Sequence, residues 1–409
     1  MNKKKLIRAR YLLLLALLGI MINSNAQNRD SVVVAPDSSN FVTASVLIIS
    51  PTHAVYSVFG HAALRMECPS HQLDYVFTFE SDPSVSGFIT FFAGKAEAKF
   101  VVVPTEEFLR DVKLIGREIK QYELNLTHHE KQELWRHLDE DMVEGAHRKF
   151  NLLLNNCVSM TVLKLHQSCI DERLTWKDDM CMLTQDNGDY VRQCVHRSPW
   201  AEFLFITFMG SVCDEYYDYE SRLCPENLIG ELKKASFVSE QNQGKRPVLT
   251  GKEKELLTET YVPRKTILTP TLVFGFLLLF TCFLTYAEWR WQWIKPARCF
   301  DSMLLTIQSL IGIVLLYITF VSELLGSHFN WYLIPFNPLP LLLWICLRKR
   351  KNYGRVYLLY TVVLVAFIAL TPFLSQLDVP HQMITMVLAV RCGSKCWKNK
   401  GLFENEYSQ

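Results

Sequence analysis

The chain has no excess of charge of either sign: 43 Lys and Arg stand against 41 Asp and Glu, a net charge of +2. A protein that binds nucleic acid through its phosphates needs a basic patch or stripe, so nucleic acid is not an expected partner. The twelve cysteines include no CxxC pair, and no Cys/His spacing suits a tetrahedral zinc site, so neither a metal nor any other cofactor is expected. Internal repeats and low-complexity tracts are also missing, which excludes solenoids and long disordered arrays.

What the chain has instead is a strongly divided hydropathy. Lys3, Lys4, Lys5, Arg8 and Arg10 precede an apolar run from Tyr11 to Ile22, and Ser24 and Ala26 sit at the −3 and −1 positions before Gln27. This reads as a secretory signal over residues 1–26, the rival reading being an uncleaved anchor; in both cases the following segment is exported. From Thr266 onward long apolar stretches return, and spans are predicted near Ile267–Tyr286, Met303–Leu325, Trp331–Leu347 and Val356–Leu377, with a short fifth near Val379–Val390. Arg290, Lys295 and Arg298 follow the first span, and Arg348, Lys349, Arg350, Lys351 and Arg355 follow the third. The loops Gly326–Asn330 and Ser375–Pro380 carry no Lys or Arg. Positive-inside bias therefore places the N-terminal domain outside and the Lys/Arg-bearing tail Arg391–Lys400 inside. The predicted organisation is a signal (1–26), an exported domain (27–238), a linker (239–265) that includes the polar stretch Ser239–Pro247 and the charged Lys252–Glu255, and a membrane domain (266–400).

Within the exported domain two stretches carry chemistry. Val55, Ser57, Phe59 and His61 alternate as one face of a strand, which turns at Cys68-Pro69-Ser70-His71 and returns over Asp74–Glu80. A hairpin centred there sets His61 opposite residues around Thr78, and Gly60 marks a bulge or a close backbone approach. The second stretch, Asn151 to Cys157, ends in Asn155 and Asn156, both N-cap residue types, followed by Val158, Thr161, Val162 and Leu165 at helical spacing. A thiol in the first helical turn lies near unpaired N–H groups and the positive dipole end, so the expectation is a lowered pKa for Cys157 and nearby oxyanion donors. The exported domain has seven cysteines, Cys68, Cys157, Cys169, Cys181, Cys194, Cys213 and Cys224, an odd number that leaves at least one without an internal partner. Six can form up to three bridges, and the sequence does not choose among the pairings. The bland readings are a hydrogen-bonded core histidine for His61 and a buried apolar thiol for Cys157.

Gly-His on an early strand, with Asn-Cys opening a helix far downstream, resembles the circularly permuted papain-like thiol enzymes (NlpC/P60-like), among them lecithin:retinol acyltransferase. The order of signal, SVFGHAALRM, FNLLLNNC, PWAEFLFITFMGSVCDEYY and then spans containing SHFNWYLIPFNPLPLLL resembles the Lnb-type lipoprotein N-acyltransferases of Bacteroidota over essentially the whole chain. The resemblance implies an α+β exported domain followed by an α-helical membrane domain of four or five spans, in the inner membrane with the N-terminal domain in the periplasm. It also implies transfer of an acyl chain from a phospholipid to the α-amino group of a diacylated lipoprotein through a thioester on Cys157, with His61 as base. Thr78 and Asn156 fall at orienting or oxyanion-supporting positions, and His328, Asn330 and Asn337 in a loop over the lipid-facing groove. Two departures stand out: Thr78 occupies a position where the family often has Asn, and Met160 one where it commonly has Arg, with Lys164 as the substitute cation. A membrane-tethered cysteine peptidase or amidase acting on cell-wall peptide, and a non-catalytic envelope protein, are the other readings.

Overall fold

The structure is a computed structural model, and it describes residues 42–54, 57–81, 85–145, 147–152, 155–176, 186–215, 224–239, 244–262, 266–323, 329–341, 353–373 and 378–406. The signal segment, Cys181 and His328 lie outside the described residues.

The N-terminal domain is built on an antiparallel seven-stranded sheet. Its strands are β1 (Thr43–Ile49), β2 (His61–Cys68), β3 (Leu73–Ser81), β4 (Glu97–Pro104), β5 (Ile119–Leu124), β6 (Arg148–Lys149) and, far later in the chain, β10 (Leu249–Leu257), in the order β10-β5-β1-β2-β3-β4-β6. β1 lies inside the sheet, between β5 and β2, and is almost continuously apolar because both faces of the sheet are covered. On one face Val46, Ile48, Leu64 and Phe77 pack with Leu134, Leu138, Val158 and Leu165 of the helices α3 (His128–Val143) and α4 (Cys157–Ser168). On the other, Leu47, Ile49 and Val76 pack with Phe108 and Val112 of α2 (Thr105–Ile115). The short helix α1 (Val85–Phe92) connects β3 to β4. β7 (Glu172–Thr175), β8 (Ser236–Ser239) and β9 (Lys245–Pro247) make a second, three-stranded sheet. Between β7 and β8 lie α5 (Asn187–Val195), α6 (Pro199–Met209) and α7 (Pro225–Leu232).

Three expectations need correction. The strand predicted back to Val55 starts only at His61: Thr52 N and Gly60 N both donate to Ser57 O, at 3.0 and 3.1 Å, and Gly60 adopts a left-handed φ of 85°, so residues 57–60 form a tight turn. The β2–β3 hairpin does close at Pro69–His71, but with Gln72 left-handed (φ 55°), so Ala63 rather than His61 is paired with Thr78. The predicted linker 239–265 is largely folded: β9 pairs with β8, and β10 pairs with β5. Lys252–Glu255 is the exposed middle of an edge strand whose charges protect the sheet from further pairing.

The C-terminal region is helical: α8 (Pro270–Arg290), α9 (Ile294–Phe320), α10 (Tyr353–Leu370) and α11 (Val379–Glu406). α8 and α9 are long and apolar enough to cross a membrane, while the apolar part of α10, Val356–Leu370, is shorter. The segment expected to be a marginal fifth span is a 28-residue helix. The segment expected to be the third span opens differently: Trp331–Leu333 is a single 3-10 turn, and the chain then runs as a loop through Pro335 and Pro338. This loop is buried among the helices, with Tyr332 and Phe336 in their core. Gly312 of α9 permits its close approach, since a Cβ there would lie 2.6 Å from the Phe336 carbonyl oxygen.

Candidate active site

Cys157 is the first residue of α4, as its N-cap predicts. Asn156 Oδ1 accepts from Val158 N (2.8 Å) and Ser159 N (3.0 Å), its Nδ2 donates to Leu152 O (2.8 Å), and Ser159 Oγ accepts from Asn156 N (2.9 Å). The Asn156 side chain thus builds the helix start and acts on the sulfur only by fixing where that start points. The sulfur faces the backbone N–H groups of Ala62, Cys157 and Val158. Ala62 immediately follows His61, so α4 sets the thiol against the beginning of β2.

The expected lowering of the Cys157 pKa is reversed. Burial pushes the thiol up to about 11 and outweighs the three N–H groups and the Arg117 charge, all of which pull it down. Burial, aided by Arg117, also lowers His61 to about 4. Near neutral pH both groups are therefore uncharged. Among the described residues the sulfur makes no direct hydrogen bond to the ring.

His61 is oriented by a chain of two hydrogen bonds. Its Nε2 lies 2.6 Å from Thr78 Oγ1, and that hydroxyl donates to Glu80 Oε1 at 3.2 Å. Because the Thr78 proton points to Glu80, its oxygen accepts from Nε2–H, which selects the tautomer with an unprotonated Nδ1. Thr78 is fully buried and Glu80 is exposed. Gly60 holds the histidine in place as expected of a close approach: a Cβ there would stand 2.8 Å from Ile49 O and 3.6 Å from Pro225 Cγ.

Sequence reading missed Glu80 and Arg117. Glu80 carried a usable signal, since it lies two residues beyond Thr78 on the same strand face. Arg117 carried none: it is buried, donates from Nε to Ser50 O (2.6 Å) and from Nη2 to Ile49 O (3.4 Å), and so lies beside Ile49, the strand partner of His61, where its charge acts on both site residues. Lys164 is not the substitute cation. It is buried, donates to His137 O (3.0 Å) and pairs with Asp141 at 2.7 Å, while Met160 lies in the core.

The two described residues of the predicted substrate loop, Asn330 and Asn337, are engaged in backbone hydrogen bonds. Asn330 Nδ2 donates to Thr207 O (2.8 Å) and its Oδ1 caps Tyr332 N (2.9 Å). Asn337 Nδ2 donates to Ile334 O (2.7 Å) and its Oδ1 accepts from Leu339 N (3.1 Å). Ser211 N also donates to Phe329 O (2.8 Å), and Gly210 (φ 63°) has room for no Cβ beside that carbonyl. The loop joins α6 of the N-terminal domain to the helical region; Asn330 holds that junction, while Asn337 ties the loop to itself and to Tyr360.

Known proteins bear on this arrangement at the level of domains. Residues 36–186 match the profile of the Lnb N-terminal periplasmic domain, and residues 263–401 that of the Lnb transmembrane domain. No curated protein and no solved structure matches the chain. With these two domains in this order and together spanning most of its length, the chain belongs to the Lnb family, as an inner-membrane protein with a periplasmic N-terminal domain and a C-terminal transmembrane domain.

Proposed function

We propose that the protein is a lipoprotein N-acyltransferase that moves an acyl chain from a phospholipid to the α-amino group of a diacylated lipoprotein, by way of a thioester on Cys157. The observation that carries this reading is a thiol at a capped helix start, set against the residue after a histidine whose Nε2 is fixed, in a domain docked directly on transmembrane helices. In this reading the N-terminal domain is a permuted papain-like fold, and α8 to α11 with the segment after residue 338 make up the five spans.

The neutral pair calls for general-base catalysis rather than a preformed ion pair. As the donor ester binds, His61 Nδ1 takes the Cys157 proton while the sulfur attacks the ester carbonyl, and the Ala62 and Cys157 N–H groups receive the developing oxyanion. Collapse of the tetrahedral intermediate breaks the ester C–O bond, and His61 returns the proton to the departing lysophospholipid oxygen. The lipoprotein amine then attacks the thioester, His61 takes its proton, and the thiolate leaves and is reprotonated. An acyl donor and an acceptor that are both lipids can reach such a site without leaving the bilayer, which gives the transmembrane domain a purpose beyond anchoring.

The test is incubation of purified protein with phospholipid and a diacylated lipopeptide, with mass spectrometry of peptide and enzyme. A hydroxylamine-labile acyl adduct on Cys157 that chases to the peptide amine is expected. Fatty acid released to water with no acylated peptide indicates a hydrolase instead, and no adduct with intact lipid indicates a non-catalytic envelope protein.

A further inference from the structure

Two cysteines that the proposed chemistry does not use lie together behind the site. Cys194 lies in the last turn of α5, one turn after Tyr190, and Cys224 immediately precedes α7. Cys224 N donates to Tyr190 OH at 3.0 Å, which brings the start of α7 onto the face of α5 that carries Cys194. Both side chains are buried in one apolar cluster with Val58, Val191, Met209 and Cys213, and the Cys194 thiol is close enough to Cys224 to hold its pKa below the ordinary value. The other described cysteines of this domain have different partners: Cys68 faces Ser70 and His71 (both 3.3 Å), Cys169 the Leu165 carbonyl (3.2 Å), and Cys213 the Ile206 carbonyl (3.9 Å).

We propose that Cys194 and Cys224 are joined by a disulfide in the mature periplasmic protein. The two thiols share one buried cluster, on elements that the Tyr190–Cys224 contact brings together, so a small local adjustment reaches the ~2.05 Å of an S–S bond, and the periplasm favours oxidation. The bridge forms by exchange with the disulfide of a periplasmic thiol oxidoreductase while the cluster is still open. The thiolate of one cysteine attacks a carrier sulfur and expels the carrier's other thiolate; the second cysteine then attacks the mixed disulfide and releases the carrier as a dithiol, which keeps the two protons. The two protein sulfurs are oxidised and the carrier disulfide is reduced.

The bridge closes a loop that contains α6, the helix that docks on the transmembrane region through Thr207 and Asn330. It also fixes Pro225, whose ring abuts the backbone of Gly60 next to His61. It therefore clamps the membrane-docking helix and the support of the histidine in one covalent unit, and it leaves Cys157 out of the pairing.

To test this, full-length protein is purified from membranes without reductant, its free thiols are blocked in denaturant, and the digest is analysed by mass spectrometry. The expected product is a reducible peptide pair linked through Cys194 and Cys224, with Cys157 recovered as a blocked free thiol. Recovery of Cys194 and Cys224 as free thiols, or either of them linked to Cys213, overturns the proposal. In detergent, the Cys194→Ala/Cys224→Ala double variant is expected to melt lower by on the order of 10 °C, as for the loss of a cross-link closing roughly 30 residues. Reduced wild-type protein should melt with the variant, and a variant that melts with the oxidised wild type also overturns the proposal. The peptide assay needs only wild-type protein and no acyl transfer, so failure of the bridge and failure of the proposed function are separately visible.

Discussion

Two histidines in this chain sit in short polar chains built of the same parts, and they differ in what is left over. At the candidate active site the order is acid, hydroxyl, imidazole: Glu80, Thr78, His61. At the junction with the transmembrane domain it is acid, imidazole, hydroxyl. Asp378 bonds His381 Nδ1, and His381 Nε2 lies 2.8 Å from Thr207 Oγ1, which itself donates to the Phe203 carbonyl. His381 is sandwiched between the rings of Phe203 (4.4 Å) and Tyr332 (4.1 Å), with both nitrogens engaged. His61 has one nitrogen fixed, and the other has no partner among the described residues. An imidazole with one unfilled nitrogen can move a proton, as the proposed function asks of His61, whereas one filled at both positions can only hold two elements together.

The comparison breaks most sharply at the thiol. Cys157→Ser should lower acyl transfer by on the order of 10⁴-fold with unchanged melting, because one sulfur is exchanged for oxygen and little packing volume changes. His61→Ala should cost about 10³-fold by removing the base; adduct formation on Cys157, followed by mass spectrometry, reads both. Full transfer in either variant would sink the assignment of roles. Thr78→Val should cost on the order of tenfold, and Glu80→Gln less, since each only biases the tautomer and orientation of His61. The loss should appear in kcat more than in KM and should be partly restored by Thr78→Ser.

The junction histidine should respond in the opposite sense. His381→Phe leaves Asp378 and the buried Thr207 hydroxyl without their partner, a loss of about 2 kcal/mol or more in stability. Transfer at low temperature should stay within about threefold, because no reacting atom is touched. A melting temperature unchanged by His381→Phe, with transfer abolished, would show that the two histidines had been assigned the wrong way round.

The legible parts of this molecule were the local ones. The Asn156 cap, the helix at Cys157, the turn at Pro69 and the tight approach at Gly60 are each set by residues close in sequence, so periodicity and cap chemistry expose them. Long-range features were not legible. β10 joins the first sheet from more than a hundred residues beyond β5, and its alternating Lys and Glu look the same in a linker and on an edge strand. The Trp331 segment is apolar enough for a span, and only its packing against Gly312 shows that it begins as a buried loop. At the site, Thr78 was read close to its true place, although the αL residue at Gln72 shifted the register by two. The sign of the Cys157 shift was missed because a helix start is visible in a sequence and desolvation is not.

The smallest effects follow from that sign. His61 is ordinarily near 6.5 and is held at about 4 in the folded protein, so the unfolded chain binds more protons between those values. Stability should therefore fall as pH drops from 6.5 towards 4, and His61→Gln should flatten that limb. Cys157 behaves in the opposite direction: the folded protein keeps the thiol proton up to about 11 against an ordinary 9.0, so stability should fall as pH rises through that window, and Cys157→Ser should remove the fall. Alkylation tests the same point more directly. A sequence reading that places Cys157 at an activating helix start predicts that it is the fastest thiol at neutral pH. The half-buried, protonated thiol should instead react slowly at pH 7 and speed up about tenfold per unit towards pH 11. A rate that is already at its plateau at pH 7 would mean that the resting protein holds a thiolate–imidazolium pair, and the His61–Cys157 chemistry would have to start from that ion pair.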